Sequence, residues 1–192
     1  MSLAIMGDGM YEELRHFNEK VARAYRLEEL PLCWVYIVTA RVLRSIVRPP
    51  ARILEIGPGT GRLANMLAGY GYYVVGVDIS LPMLRQARRF NRPDFINGTS
   101  WQMPIVNGRF DAVVATLTLH HWSKREESIR IIYELLRPGS ALIIVEADKD
   151  RVRFVGSHGC TERCFTELLS PYFSISIRKM FPLIIAIGKK LK

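Results

Sequence analysis

The stretch ILEIGPGTGRLA, residues 53–64, sets three glycines within five positions directly behind a run of apolar residues. A short, nearly all-apolar run suits a strand covered on both faces, and a helix-forming segment follows the glycines. Glycine turns at such a handover let the backbone come close to a ligand. In doubly wound sheets, ligands bind at the carboxyl ends of strands, where strand order reverses. The turn at residues 57–61 is therefore the leading candidate site.

Downstream of this turn the same alternation repeats. GRLANMLAGY reads as helix, YYVVGVD as strand, LPMLRQARRF as helix, DFIN as a short strand and RFDAVVAT (109–116) as a longer one. A helix around KREESIRIIYELL is expected to stop at Pro138-Gly139, with SALIIVEA following as a strand. TERCFTELL then reads as helix, and YFSISIRK and FPLIIAIGK as two strands with a tight link between them. Alternation of this kind implies an α/β fold: a doubly wound, mostly parallel, seven-stranded sheet. The last two strands have too little chain between them for a parallel crossover, so one of them should run antiparallel.

Upstream, YEELRHFNEKVARAYRLEEL and LCWVYIVTARVLRSIV read as helices that end at the double proline 49–50. Residues 1–48 are thus expected to form a helical lid or appendage and residues 49–192 the core of a single domain.

Composition limits the possible functions. No 18-residue apolar run is present and MSLAIMGDGM lacks a basic start followed by an apolar core, so neither a membrane span nor a signal peptide is expected. Three cysteines, Cys33, Cys160 and Cys164, fit a reducing cytoplasm. The pattern HGCTERC, with His158, lacks a fourth ligand and the CxxC spacing, so two ordinary thiols one helical turn apart are expected and no metal. The net charge of +9 is spread along the chain, which favours a solvated basic surface over a nucleic-acid interface.

Three ligand chemistries compete for the glycine turn. A phosphate loop needs Lys and then Ser or Thr after its last glycine, but Arg62 and Leu63 stand there. A dinucleotide fingerprint counted from Gly57 and Gly59 places its third glycine at Arg62, where a bulky residue obstructs helix–strand packing. Pro58 removes an N–H from any anion nest, and Glu55 just below the turn repels a pyrophosphate but welcomes a cation. S-adenosylmethionine meets these demands, with its sulfonium, ammonium and carboxylate and no phosphate. The turn's remaining N–H groups would face its carboxylate, Glu55 its ammonium, and Asp78, closing the second strand, its ribose hydroxyls.

EIGPGTG (55–61), VVGVDIS (74–80), RFDAVVATLTLHHW (109–122) and LLRPGSALIIVE (135–146) together resemble the successive motifs of class I S-adenosylmethionine-dependent methyltransferases of the small-molecule type. The resemblance spans about residues 50 to 147 and includes the reversed last strand. It implies that Glu55, Gly57, Pro58, Gly59 and Gly61 line the methionine moiety, Asp78 the ribose and Ile79 the adenine. It also implies that Thr116 offers a carbonyl to the ammonium. Family members often carry Gly-Asp-Ala after the third strand. Here Thr99, Ser100 and Trp101 stand in that stretch, so a hydroxyl or backbone group would replace the carboxylate at lower strength. Trp101 either stacks on the purine or packs in the core.

On the acceptor side, His120 and His121 follow the fourth strand as candidate bases, or else bond the loop or face solvent. Glu146, Asp148 and His158 are weaker candidates. The helical aromatics Tyr11, Phe17, Tyr25, Trp34 and Tyr36 are expected over the acceptor pocket. TLTLHHW lacks the polar-Pro-Pro-aromatic motif of some enzymes that methylate base amino groups, which lowers a nucleic-acid acceptor. The expected partner is a small-molecule acceptor. The rivals are an RNA or protein methyltransferase, a non-catalytic binding module and, disfavoured, a nicotinamide-dependent oxidoreductase.

Overall fold

A computed structural model describes residues 19–89, 92–152 and 158–191. The expected helix beginning at residue 11, with Tyr11 and Phe17, lies in its first half outside the described residues. From Glu19–Glu28 (α1) the chain passes a 3-10 turn at Leu30–Leu32 into Cys33–Ile46 (α2). The core then runs β1 (Arg52–Ile56), α3 (Arg62–Gly69), β2 (Tyr73–Asp78), α4 (Leu81–Ala87), β3 (Asp94–Asn97) and β4 (Phe110–Thr116). It continues with α5 (Arg125–Leu135), β5 (Leu136–Ala147), α6 (Glu162–Leu169), β6 (Ser174–Met180) and β7 (Leu183–Lys189).

The seven strands form one sheet in the order β3-β2-β1-β4-β5-β7-β6. Six strands are parallel, and β7 runs antiparallel to both β5 and β6, as the short β6–β7 link demands. Strand order reverses between β1 and β4, which places the carboxyl ends of β1, β2 and β4 around one crevice.

Each central strand is apolar on both sides because helices cover both faces. On β4, Val113 and Ala115 point to a core shared with Ile129 and Ile132 of α5 and Phe165 and Leu169 of α6. Ala112 and Val114 point the opposite way, to a core shared with Val35 and Leu43 of α2 and Leu63 and Leu67 of α3. Local signals set the helix starts. Ser80 caps α4 by accepting from Met83 N at 3.2 Å, and Thr161 caps α6 by accepting from Cys164 N at 3.0 Å. In α2 the buried Val35, Thr39, Ala40 and Leu43 form one stripe at helical spacing.

Two expectations are corrected. The strand expected at residue 140 begins at Leu136 and runs through Pro138-Gly139. A register shift on β4 between Phe110 and Ala112 makes an irregularity where a proline without an N–H is tolerated, and Arg137 pairs with Asp111 at 2.5 Å beside it. The expected pair of free thiols is instead a disulfide between Cys160 and Cys164. Cys160 lies before the Thr161 cap, outside the helix, so the pair does not follow helical spacing. Among the described residues no helix is long and apolar enough to cross a membrane.

Phe165 is fully buried where α6 meets the sheet. Replacing it by alanine is expected to cost about 3–5 kcal/mol, read as a lowered urea midpoint with the helical signal retained before the transition.

Candidate functional site

The floor of the crevice is the turn joining β1 to α3. Gly57, Gly59 and Gly61 all adopt positive φ, at 69°, 53° and 80°. A Cβ on Gly57 would overlap the Thr118 side chain. One on Gly61 would stand 2.9 Å from both Ala87 Cβ and Phe95 Cζ. The close helix–strand contact therefore falls on Gly61, one residue before the position expected from a dinucleotide fingerprint. Arg62 obstructs nothing, because its guanidinium reaches Glu29 Oε1 at 2.6 Å.

The amides of the turn are already engaged. Gly57 N donates to Val77 O at 2.8 Å, Gly59 N to Asp78 Oδ2 at 3.0 Å and Gly61 N to Pro58 O at 2.8 Å. The expectation that the glycine amides stand open for a carboxylate is thus corrected for these three. With Pro58 having no N–H at all, the turn is a poor nest for phosphate.

Carboxylates surround the turn. Glu55 is fully buried at the end of β1, and its Oε2 has no hydrogen-bond partner. Burial, reinforced by the nearby charge of Asp78, pushes its carboxyl from 4.5 up to about 8, against the lowering effect of a backbone hydrogen bond from Ala64. Asp78 ends β2, and its carboxylate accepts from Gly59 N at 3.0 Å and from Ser80 N at 2.8 Å.

Above this floor lies a cavity of about 820 Å³, counted out to its mouth. Of the residues expected from sequence, Glu55, Gly57, Pro58, Gly59, Asp78, Ile79, Thr99, Ser100 and Thr116 line it. Gly61 acts beneath it through packing, and Trp101 is buried away from the lining with Lys124 Nζ 5.7 Å from its ring. Trp122 supplies an aromatic wall instead. Thr99 Oγ1 is buried without a hydrogen-bond partner. Ser100, by contrast, bonds Ser128 Oγ at 2.8 Å, and Ser128 in turn donates to Lys124 O, so the Ser100 proton is committed. The Thr116 hydroxyl bonds Thr39 at 3.1 Å and so ties α2 to the end of β4.

Sequence reading missed Thr118, Leu117 and Trp122 as lining residues. It also missed Glu29, which accepts from Thr60, from Arg62 and, at 3.4 Å, from Tyr36. No motif marks a glutamate between two helices as the anchor of a turn thirty residues away. Tyr25 and Tyr36 from the N-terminal helices do line the cavity, whereas Trp34 is exposed. Burial, together with Tyr25, Glu29 and Glu55 nearby, drives the Tyr36 hydroxyl far above its usual range, so it stays a neutral donor.

A second cavity adjoins the first and shares Tyr25, Leu117 and His121 with it. His120 and Glu146 line it, with His120 Nδ1 at 3.0 Å from Glu146 Oε2. Glu146 is completely buried and its other oxygen accepts from Leu119 N at 2.7 Å. His120 is therefore held by a strand carboxylate and neither bonds the loop nor faces solvent. Asp148, a weaker candidate, is buried and accepts from Asp150 N, with Arg151 Nε 3.8 Å away.

The crevice, the four ordered motifs and the reversed last strand define a class I S-adenosylmethionine-dependent methyltransferase domain. Residues 54–144 match the family described as "Methyltransferase domain", and the core of the chain belongs to that class. Among its relatives, the demethylmenaquinone methyltransferase of Thermus thermophilus is 33% identical over 109 residues, covering 53% of this chain and 50% of the relative. The malonyl-[acyl-carrier protein] O-methyltransferase of Enterobacter lignolyticus is 29% identical over 104 residues, covering 54% and 41%. The chain spans about half the length of the curated relatives it matches. The crystal structure of a putative S-adenosylmethionine-dependent methyltransferase from Methanococcus maripaludis shares the fold with a TM-score of 0.79, covering 91% of this chain and 94% of that one at 18% identity. The cofactor of the class is S-adenosylmethionine.

Because Gly61 combines a left-handed φ with contact on two sides, Gly61→Ala is expected to destabilise the fold by about 2–4 kcal/mol. Thermal unfolding of the purified variant checks this.

Proposed function

We propose that the protein transfers the methyl group of S-adenosylmethionine to a small organic acceptor. The observation that carries this reading is the buried, unpartnered Glu55 oxygen under the glycine turn, next to Asp78. Such a floor attracts the ammonium of the cofactor and repels a pyrophosphate. In this reading the methionine portion lies over Glu55, the ribose hydroxyls meet the Asp78 carboxylate, and Ile79 packs on the adenine. The unpartnered Thr99 hydroxyl takes the adenine edge that an aspartate holds in relatives.

The transfer is an in-line displacement on an already activated methyl. The chain's task is therefore to align the acceptor and exclude water. Tyr25 and Tyr36 close the cofactor side, and the acceptor enters through the adjoining cavity, whose apolar Val21, Leu32 and Leu117 face the polar His120 and His121. That mixture suits a small, largely apolar acceptor with one oxygen or acidic carbon to be methylated. Two relatives bear on the class of acceptor, since their names specify a demethylated quinone and a malonyl group on a carrier protein. A nucleic-acid or protein acceptor is less supported, because the positive charge of +9 is dispersed along the chain.

Calorimetry with S-adenosylhomocysteine tests the cofactor half, and no binding at millimolar ligand would reject the reading. A positive ammonium favours the ionised form of Glu55, so binding lowers a pKa that stands at about 8 in the free protein and releases a proton. Affinity is therefore expected to rise as pH increases from about 6 to about 8 and then to level off. Glu55→Gln should flatten that rise and weaken binding about tenfold or more at pH 8.

A further inference from the structure

Beside the cofactor cavity, three imidazoles from two distant parts of the chain converge. His120 and His121 are carried by the 3-10 turn after β4, and His158 lies just before the disulfide-linked Cys160. One ligand atom from each lies within 4.8 Å of the others, and the ring centroids of His120 stand 4.0 Å from His121 and 4.8 Å from His158. We propose that these three histidines form a binding site for a late first-row divalent metal ion such as Zn²⁺.

The chemistry of the donor set supports this. Imidazoles are preferred ligands of Zn²⁺ and its neighbours, and three protein ligands leave a fourth position open. A tetrahedral site with bonds of about 2.1 Å sets its nitrogens about 3.4 Å apart. From separations within 4.8 Å the groups need to close by up to about 1.4 Å, a movement on the scale of side-chain rotation, for which the exposed His158 has room. A ligating histidine normally gives its second ring N–H to a carboxylate, which fixes tautomer and direction. His120 has that arrangement, with Nδ1 on the fully buried Glu146 and Nε2 left for an ion. Glu146 is itself steadied by Leu119 N, so this arm is organised without the ion.

The backbone two residues after His158 is anchored. Cys160 N donates to Ala147 O at 3.1 Å and Lys149 N to Cys160 O at 3.2 Å, which fixes Cys160 to the end of β5. The disulfide to Cys164 ties the same segment to α6.

The open position of the metal would face the second cavity, which His120, His121 and His158 line and which shares His121 with the first. This part rests on the methyl-transfer reading. An acceptor hydroxyl bound there loses its proton to solvent more readily. Its oxygen lone pair then forms the bond to the sulfonium methyl carbon, and the breaking carbon–sulfur bond returns its electron pair to sulfur as a neutral thioether.

The full chain, stripped with a chelator, is titrated with Zn²⁺ by calorimetry and with Co²⁺ by visible absorption. One equivalent per chain and the intense d–d bands of four-coordinate cobalt are expected. His158→Ala, at an exposed position, should weaken Zn²⁺ binding at least tenfold while leaving the melting curve and S-adenosylhomocysteine affinity unchanged. Glu146→Gln should weaken it about ten- to a hundredfold. Sub-stoichiometric metal, or undiminished affinity in both His158→Ala and His120→Ala, overturns the site. Stoichiometric metal in a chain that fails to bind S-adenosylhomocysteine upholds the site and removes only the methyl-transfer reading. Cofactor binding without metal does the reverse.

Discussion

Two acidic side chains at neighbouring strand ends, with a glycine turn between them, are the constraint around which the crevice is organised. Parallel pairing of β1 with β2 sets Glu55 opposite Gly76 and places Asp78 just beyond the turn. The turn closes on itself by giving Gly59 N to Asp78 and Gly57 N to Val77 O. Burial first, and the charge of Asp78 beside it, keep the Glu55 carboxyl protonated near neutrality, while Asp78 accepts from backbone amides. A positive group placed over such a floor favours ionised Glu55, and a negative one does not.

The sheet was legible because each element carries a period of its own. Apolar runs such as RILEI and AVVAT are readable as strands buried on two faces, and the amphipathic segments between them as the covering helices. That one of the last two strands is reversed followed from the two-residue link, which is too short for a crossover, and the resemblance pointed to the last of them. The helix ends before Pro138-Gly139 as expected, at Leu135, but the strand after it starts earlier than residue 140, because tertiary pairing already engages Leu136 with Phe110. Cys160 and Cys164 misled because their spacing of four mimics a helical turn, although the Thr161 cap lies between them.

Much of the site was legible too, but only its backbone-driven part. Glycines, a proline and strand-ending acids announce themselves by position, and nine of the eleven residues expected around the cofactor line the cavity. Side chains that meet through tertiary folding left no such trace. Trp101 was a reasonable aromatic wall by sequence order, yet Trp122, twenty-one residues on, takes the place. His158 is separated from His120 by the whole of α5 and β5, so only the return of the chain past Ala147 brings them side by side.

The Glu29 carboxylate gathers a hydroxyl from the glycine turn, a guanidinium from the start of α3 and a phenol from α2. The N-terminal helices therefore cannot swing outward as a body while Thr60 and Arg62 stay in place. One carboxylate thus couples where the N-terminal helices sit to how the glycine turn is shaped, so neither can be altered without the other.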